Sequence, residues 1–203
     1  MLKPNGYDEA RTGEFTPVEL GGHYAIIKQV TEMTNKNGKP MVVVLIDFAD
    51  NDKQAKYHST AFKNDDREDK KWPFNGSKYI NIQDYNDPNK TSTDFKRFCK
   101  SFEHSNNCEV QWTDSNWGAQ FKNKRIGVVY GEEENEYDGK ITMRHSLRWF
   151  CSWDKVKDQG IPKVKYLNGT GPAAPSAPAN DNTNSVNSYV NNMTSADEEE
   201  IPF

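Results

Sequence analysis

The feature that most constrains the fold of this 203-residue chain is an abrupt change in composition after residue 167. The last 36 residues contain no Lys or Arg, and they consist largely of Gly, Ala, Pro, Ser, Asn and Thr before a short acidic end. Such a stretch cannot bury enough apolar surface to offset the chain entropy lost on folding. The sequence therefore predicts a folded domain over residues 1–167 and a disordered linker over residues 168–196.

Charge divides at the same place. All 26 Lys and Arg residues lie in the predicted domain, together with 25 acids, whereas the tail is purely acidic. The chain shows no apolar run long enough for a transmembrane helix and no apolar N-terminal segment typical of a signal peptide. Its 3 cysteines are odd in number and irregularly spaced, which is typical of a reducing compartment. We therefore expect a cytoplasmic protein that does not contact a membrane.

Apolar periodicity predicts a mainly β domain. Residues 23–33 and 41–49 are rich in β-formers and are separated by an Asn-Gly turn signal, which predicts a hairpin. Alternation predicts a third strand over residues 54–62, and a short strand follows around residues 79–82.

The rest of the domain is predicted to be one helix and further strands. Several N-cap candidates precede Phe95, Phe98, Cys99 and Phe102, which recur at helical spacing and indicate a core-facing stripe. Strands are predicted near residues 108–113, 124–130 and 140–153, with an acidic loop over residues 131–139 that ends in an Asp-Gly turn. This is the order of an OB-fold, a five-stranded partly open barrel with a helix between strands 3 and 4.

The last predicted strand gathers cations and an aromatic ring on one face. Strict alternation places Arg144, Arg148 and Phe150 on one face and Leu147 on the opposite, apolar face. Cations that meet phosphates and rings that stack on bases are what single-strand binding requires. Solvated surface is the alternative for the cations and core packing the alternative for the tryptophans. Other candidates with the same chemistry are Lys36, Lys39, Lys71, Trp72, Trp112, Trp117, Lys122, Lys124 and Arg125.

The last seven residues place an apolar tripeptide after a run of acids. The terminal ring can fill an apolar pocket, its carboxylate can pair with a cation, and the acids can meet a basic rim on a partner. The sequence therefore predicts a partner-binding tip formed by Asp197, Glu198, Glu199, Glu200, Ile201, Pro202 and Phe203.

An acidic tip at the end of a Gly-, Pro- and Asn-rich linker resembles the C-terminus of bacterial-type single-stranded DNA-binding proteins. The body is longer than in the compact bacterial protein, with an extended stretch between Lys63 and Lys90, and is more similar to divergent versions encoded by phages and prophages. The resemblance implies an OB-fold domain that coats and protects single-stranded DNA without sequence preference. It also implies a tip that docks proteins of DNA replication, recombination and repair.

Two interpretations of function remain open. The first is a binding protein without enzymatic activity or cofactor. The second is a phage recombination enzyme or accessory factor, such as an annealing protein or nuclease, that carries the same tip. An exposed barrel edge would also allow a homo-oligomer.

Metal chemistry is disfavoured by spacing. Cys99, His104 and Cys108 match no paired zinc-ligand pattern, so we expect buried thiols and no metal site. The acids of residues 65–69 lie among cations, which favours a solvated loop over a nuclease site.

Overall fold

The computed structural model describes residues 16–113, 115–169 and 171, which form a mainly β structure. The strands are β1 (Gly21–Thr34), β2 (Pro40–Phe48), β3 (Ser77–Asn81), β4 (Arg125–Tyr137) and β5 (Lys140–Cys151). They make one antiparallel sheet in the order β3-β2-β1-β4-β5, and the sheet is not closed, so β3 and β5 are its edges. None of the helices in these residues is both long and apolar enough to cross a membrane. The α-helices are α1 (Tyr57–Lys63) and α2 (Thr93–Asn106), and 3-10 helices span Phe74–Gly76, Trp117–Phe121 and Trp153–Asp158.

The predicted hairpin between β1 and β2 is confirmed. Its turn is held by Asn35, whose Oδ1 accepts hydrogen bonds from the backbone N–H groups of Asn37 (2.9 Å) and Lys39 (3.0 Å). Gly38 follows with a φ of +72°, in the left-handed region where a side chain would be strained. Local turn chemistry thus fixes the loop that carries Lys39.

The prediction of a strand over residues 54–62 is wrong, because a turn and then α1 occupy this segment. The buried Oδ1 of Asp47, near the end of β2, accepts hydrogen bonds from the N–H groups of His58 (3.0 Å) and Ser59 (3.2 Å). N–H groups in the first turn of a helix have no partner within the helix, so this contact stabilises α1. The cap comes from a distant residue and leaves no local pattern. The third strand is instead β3, which overlaps the short strand predicted around residues 79–82.

The predicted helix between the third and fourth strands is confirmed as α2. Ser92 caps it by accepting a hydrogen bond on Oγ from the N–H of Phe95 (3.1 Å). Its apolar stripe packs in the main core with the inner side of the sheet, as predicted for Phe95, Phe98, Cys99 and Phe102.

Residues 108–113 do not form the predicted strand. The N–H of Gln111 donates to the Oε1 of Gln120, and the Nε2 of Gln120 donates to the carbonyl oxygen of Gln111, each over 2.8 Å. One side chain therefore satisfies the backbone groups that a neighbouring strand would otherwise bond.

Residues 131–139 are not a loop, because β4 continues to Tyr137. Only the predicted Asp-Gly turn is confirmed: Asp138 and Gly139 have φ values of +50° and +69°, as a tight hairpin turn with two positive φ angles requires. Glu133 lies directly opposite Arg144 of β5 and forms an ion pair with it. Cross-strand pairing of opposite charges explains how a segment so rich in acids can remain a strand.

The predicted faces of the last strand are wrong beyond Leu147. Tyr130 pairs with Leu147, whereas its neighbour Val129 pairs with Trp149, so Arg148 is an extra residue in β5. Such a bulge reverses the alternation of side chains. As a result Leu147 and Phe150 are both buried in the same core.

The segment that follows the 3-10 helix Trp153–Asp158 lies along the part of β4 that does not pair with β1. The N–H of Glu134 donates to the carbonyl oxygen of Lys165 (2.9 Å). The N–H of Lys165 in turn donates to the carbonyl oxygen of Glu132 (3.0 Å). The Nη1 of Arg148 donates to the carbonyl oxygens of Glu132 (3.1 Å) and Lys163 (3.3 Å). Arg148 therefore pins this segment to the sheet.

Candidate nucleic-acid interface

One side of β1, β2 and β3 faces away from the core. Buried Val44 and Ile80 alternate with residues that are exposed or half-buried, as the two-residue period of strands requires. The register places Val43 between Thr31 of β1 and Tyr79 of β3. We call this surface the β-face, and its members are Gln29, Thr31, Met33, Met41, Val43, Leu45, Ser77, Tyr79 and Asn81.

An exposed aromatic ring lies near each end of β3, and a cationic side chain lies over each of these two rings. Phe74 lies just before the strand, and the guanidinium of Arg144 is 4.4 Å from its ring centroid. Tyr85 follows the strand, and the Nζ of Lys39 is 5.4 Å from its ring centroid. Both distances lie within the range of cation–π attraction. Tyr79, in the middle of the strand, is also exposed, so three rings and two cations border this edge of the β-face.

Trp72 supports the Phe74 end of the site. Its Nε1 lies 3.2 Å from the carbonyl oxygen of Ile46 and 3.1 Å from that of Gly76, and donates to them. A Cβ at Gly76 would lie 2.7 Å from that nitrogen and 2.8 Å from the Cγ of His58, so only glycine fits. Trp72, a predicted DNA contact, thus holds in place the 3-10 helix that carries Phe74.

A buried polar pair anchors the same helix from below. The hydroxyl of Tyr130 donates to the carbonyl oxygen of Asn75, and the Nε2 of His58 lies 3.1 Å from that hydroxyl. With the hydroxyl proton used on Asn75, His58 donates from Nε2 to the tyrosine oxygen. Burial lowers the pKa of His58 to about 4, which keeps the ring neutral at neutral pH. This support is invisible in the sequence, because its members are separated by up to 72 positions.

Lys71 lies beside an open groove of about 460 Å³ next to the β-face. Aromatic side chains, including Phe62 and Phe74, form much of its lining. Arg67 also lines it and is paired with Asp65 over 2.6 Å. Hydrogen bonds from Arg67 lower the pKa of Asp65 to about 2. The groove therefore combines rings with an exposed lysine.

Arg144 is the one predicted contact of the last strand that reaches this site. Its guanidinium lies over Phe74, and its Nε donates to the Oε1 of Glu133 over 2.7 Å. Burial opposes the ionisation of Glu133, but hydrogen bonds and charge from Arg144 outweigh it and lower the pKa of that carboxyl. A phosphate that approaches Phe74 would meet a cation already oriented by this pair.

Arg148 and Phe150 are separated from Arg144 by the bulge. Phe150 is only 3% exposed, and its ring centroid lies 5.1 Å from that of Phe98. It therefore offers no face to a base in this structure. Arg148 is half-buried, and its guanidinium donates hydrogen bonds to the backbone carbonyl oxygens of Glu132 and Lys163.

The two predicted loop tryptophans differ in exposure. Trp117 is 5% exposed and belongs to the core, whereas Trp112 is 69% exposed. Their rings stack with centroids 5.7 Å apart and planes 16° apart. Trp112 thus exposes one side of its ring to solvent while the ring stacks on the buried side chain of Trp117.

The remaining predicted cations occupy two other places. Lys36 is exposed in the turn between β1 and β2, near Lys39. Lys122, Lys124 and Arg125 are exposed in the turn that precedes β4 and at its first residue. The guanidinium of Arg125 lies 5.4 Å from the ring centroid of Trp153.

Sequence reasoning missed Phe74, Tyr79 and Tyr85. Placing the third strand at residues 54–62 hid the role of β3, whose alternation of Tyr79 with an apolar Ile80 was the available signal. Phe74 and Tyr85 lie outside any strand, so only the folded chain shows that they border one surface.

The prediction of buried thiols has a mixed outcome. Cys99 is buried as expected, and burial raises its pKa to about 12, but Cys108 is exposed, which corrects that expectation. Across residues 16–113 and 115–169, no three His, Cys, Asp or Glu side chains are grouped so that they could hold a metal ion.

No protein-family model and no curated protein matches the sequence of this chain. The predicted tip, residues 197–203, lies outside the described residues, as does the predicted linker apart from residues 168, 169 and 171.

Proposed function

We propose that this protein binds single-stranded DNA without sequence preference, through an OB-fold-type barrel, and protects the strand during replication, recombination or repair. The strand order, the helix between β3 and β4 and the open edge between β3 and β5 support an OB-type architecture. In such barrels the surface of strands 2 and 3, the loop between strands 1 and 2 and the loop between strands 4 and 5 are common nucleic-acid contacts. Here the β-face and the turn with Lys36 and Lys39 carry rings and cations. The turn between β4 and β5 instead includes Asp138 and lies beside Glu136, whose charges disfavour a phosphate.

The observation that carries the proposal is the row of exposed rings along β3. Tyr79 lies between two rings that each have a cation nearby, Phe74 with Arg144 and Tyr85 with Lys39. Every base has a π-face, so stacking on such rings is tolerant of sequence, while the cations meet the phosphates. An ordinary solvated strand has no reason to expose three large rings in this arrangement.

The C-terminal tip supplies the second part of the proposal. Residues 197–203 recruit replication, recombination and repair proteins by offering a terminal aromatic anchor and adjacent acids. The composition of residues 168–196 predicts a flexible coil, whose ends would lie roughly 30 Å apart and so separate the tip from the domain. The protein on this proposal has a binding and recruiting role and no catalytic step.

The test is a titration of the full chain with oligo(dT), mixed-sequence single strands and duplex DNA, each with and without Mg²⁺. We expect tight single-strand binding that weakens steeply with salt, because cations release counterions from the phosphates. We also expect little preference between oligo(dT) and mixed sequence, and intact strands throughout. Equal affinity for duplex, or Mg²⁺-dependent cleavage or strand annealing, would instead support the recombination-enzyme alternative.

A further inference from the structure

Trp112 is an exposed aromatic that the site on β3 does not use. It lies on Trp117, which is itself in contact with Phe95 (5.8 Å between centroids) and Phe121 (4.5 Å). The backbone of the preceding residue, Gln111, is fixed by its two hydrogen bonds with the side chain of Gln120, one donated and one accepted. The exposed indole is therefore held by packed rings behind it and by a fixed backbone, and its orientation is set before any ligand arrives.

The 3-10 helix that carries Trp117 lies against β1, on the side of the β-face away from Phe74. The helix, Trp117–Phe121, approaches β1 so closely that a Cβ at Gly118 would lie 2.1 Å from the carbonyl oxygen of Val30. Val30 is flanked in β1 by Gln29 and Thr31, which belong to the β-face. Phe74, by contrast, lies beyond β3. One exposed ring therefore lies beyond β3, and another, the platform formed by Trp112, stacks on the helix that lies against β1.

Unpaired cations accompany the platform. Lys122 and Lys124 follow the 3-10 helix directly, and hydrogen bonds between Ile27 and residues 123 and 124 place them beside Lys28 at the bulge of β1. All three lysines are exposed. Of the ion pairs among residues 16–113 and 115–169, none involves them. The exposed ring stacks on the first residue of this 3-10 helix and Lys122 and Lys124 follow its last residue, an arrangement that suits one base and the neighbouring phosphates of the same strand.

We propose that the Trp112–Trp117 stack, with Lys28, Lys122 and Lys124, is a second station for the same single strand, separated from the first by the width of the β-face. This rests on the proposed function, and it deepens it by assigning a longer footprint to the domain. A short strand occupies the rings of β3 alone, and a longer strand also reaches Trp112.

The first test compares Trp112→Ala in the full chain with Tyr137→Ala. Tyr137 is 80% exposed at the β4–β5 hairpin tip, between Glu136 and Asp138, where a phosphate backbone is repelled. Oligo(dT) of about 5 and about 20 nucleotides brackets the site sizes seen for one OB-fold. We expect Trp112→Ala to weaken binding of the long strand by about fivefold or more, as one lost stacking contact does, and to leave the short strand within about twofold. Tyr137→Ala should bind both like the wild type.

A second variant tests the cations. Replacing both Lys122 and Lys124 with Gln should lower the slope of log affinity against log salt by about 1.4 for the long strand, at about 0.7 per phosphate contact. The matched control replaces Lys53 and Lys56, which already pair with Glu19 and Asp50. It should leave the slope unchanged.

The outcomes separate the two proposals. If the wild type binds no single strand, the proposed function itself fails. If the wild type binds and Trp112→Ala matches it on both lengths, the second station is refuted and the proposed function stands. If Trp112→Ala instead changes the oligomeric state in sedimentation with unchanged DNA affinity, the platform is a contact between copies of the chain, which also refutes the second station.

Discussion

Lys78 bridges the open edge of the sheet, because its Nζ in β3 donates to the carbonyl oxygen of Leu147 in β5 over 3.1 Å. It also donates to the carbonyl oxygen of Arg148 over 2.9 Å, at the bulge. Burial lowers the pKa of Lys78, as expected for an ammonium withdrawn from water. One side chain thus links β3 to β5 at a place where no strand-to-strand hydrogen bonds join these two edges of the sheet.

Lys78→Met is expected to lower the free energy of unfolding by about 1–3 kcal/mol, since it leaves two carbonyl oxygens without their charged donor. Urea denaturation followed by tryptophan fluorescence measures this. Lys140→Met, at an exposed position that begins β5, serves as the control and should change little. A gain in stability for Lys78→Met would mean that desolvating the ammonium costs more than the bridge contributes.

The buried His58 predicts a pH dependence of stability. Its pKa is about 4 in the folded protein and about 6.5 when unfolded, so between these values only the unfolded chain takes up the proton. The contribution of neutral His58 to the free energy of unfolding is therefore fully present above about pH 6.5, and it falls by roughly 1 kcal/mol per pH unit down to about pH 4. The pKa of Asp52 is lowered, so its own contribution is lost only at still lower pH. The urea midpoint of the wild type should fall between about pH 7 and about pH 5, whereas that of His58→Gln should stay nearly constant. Parallel pH profiles would contradict this.

Phe150→Ala is expected to destabilise the domain by about 3–5 kcal/mol, because a fully packed ring is removed from the core. The sequence pattern predicted the opposite, namely a loss of DNA affinity with little effect on folding. Thermal denaturation and an oligo(dT) titration of the same sample distinguish the two. A stable variant with weakened DNA binding would show that the strand faces are as first predicted.

Phe74→Ala and Tyr79→Ala should each weaken binding of oligo(dT) by about 1–3 kcal/mol, as loss of a base-stacking ring does. Both side chains are exposed, so the melting temperature should change little. Phe62→Ala provides a comparison for the groove behind them, where the ring packs against Trp72 at 5.5 Å. Normal affinity in both ring variants would remove the β-face from the proposed DNA path.

Deletion of Phe203 should reduce docking to a tip-binding repair enzyme by more than about tenfold, since one buried aromatic anchor contributes about 2 kcal/mol or more. The deletion also moves the terminal carboxylate onto Pro202. DNA affinity should stay the same or rise slightly, because the cations of the domain remain. Fluorescence polarisation with the partner and with oligo(dT) measures both on one preparation. Retained docking with lost DNA binding would overturn this division of roles.

The sequence by itself determined those features that local chemistry controls. The β1–β2 hairpin follows from turn residues around Asn35 and Gly38, and α2 follows from Ser92 and the spacing of its phenylalanines. The Asp-Gly turn is set by two residues that tolerate positive φ. In each case neighbours in the chain supply the deciding contacts, so the pattern is legible without the fold.

Tertiary structure decided where a distant residue overrides the local pattern. Asp47 caps a helix in a segment that alternates like a strand, and a single extra residue, Arg148, turns Phe150 from the predicted DNA face into the core. The same holds for the candidate site, where Phe74 meets a cation from β5, Tyr85 meets one from the β1–β2 turn, and Tyr79 is exposed on the strand between them. Burial, strand register and long-range hydrogen bonds leave no periodic pattern in the sequence. Only the packing of the sheet brings these distant residues together.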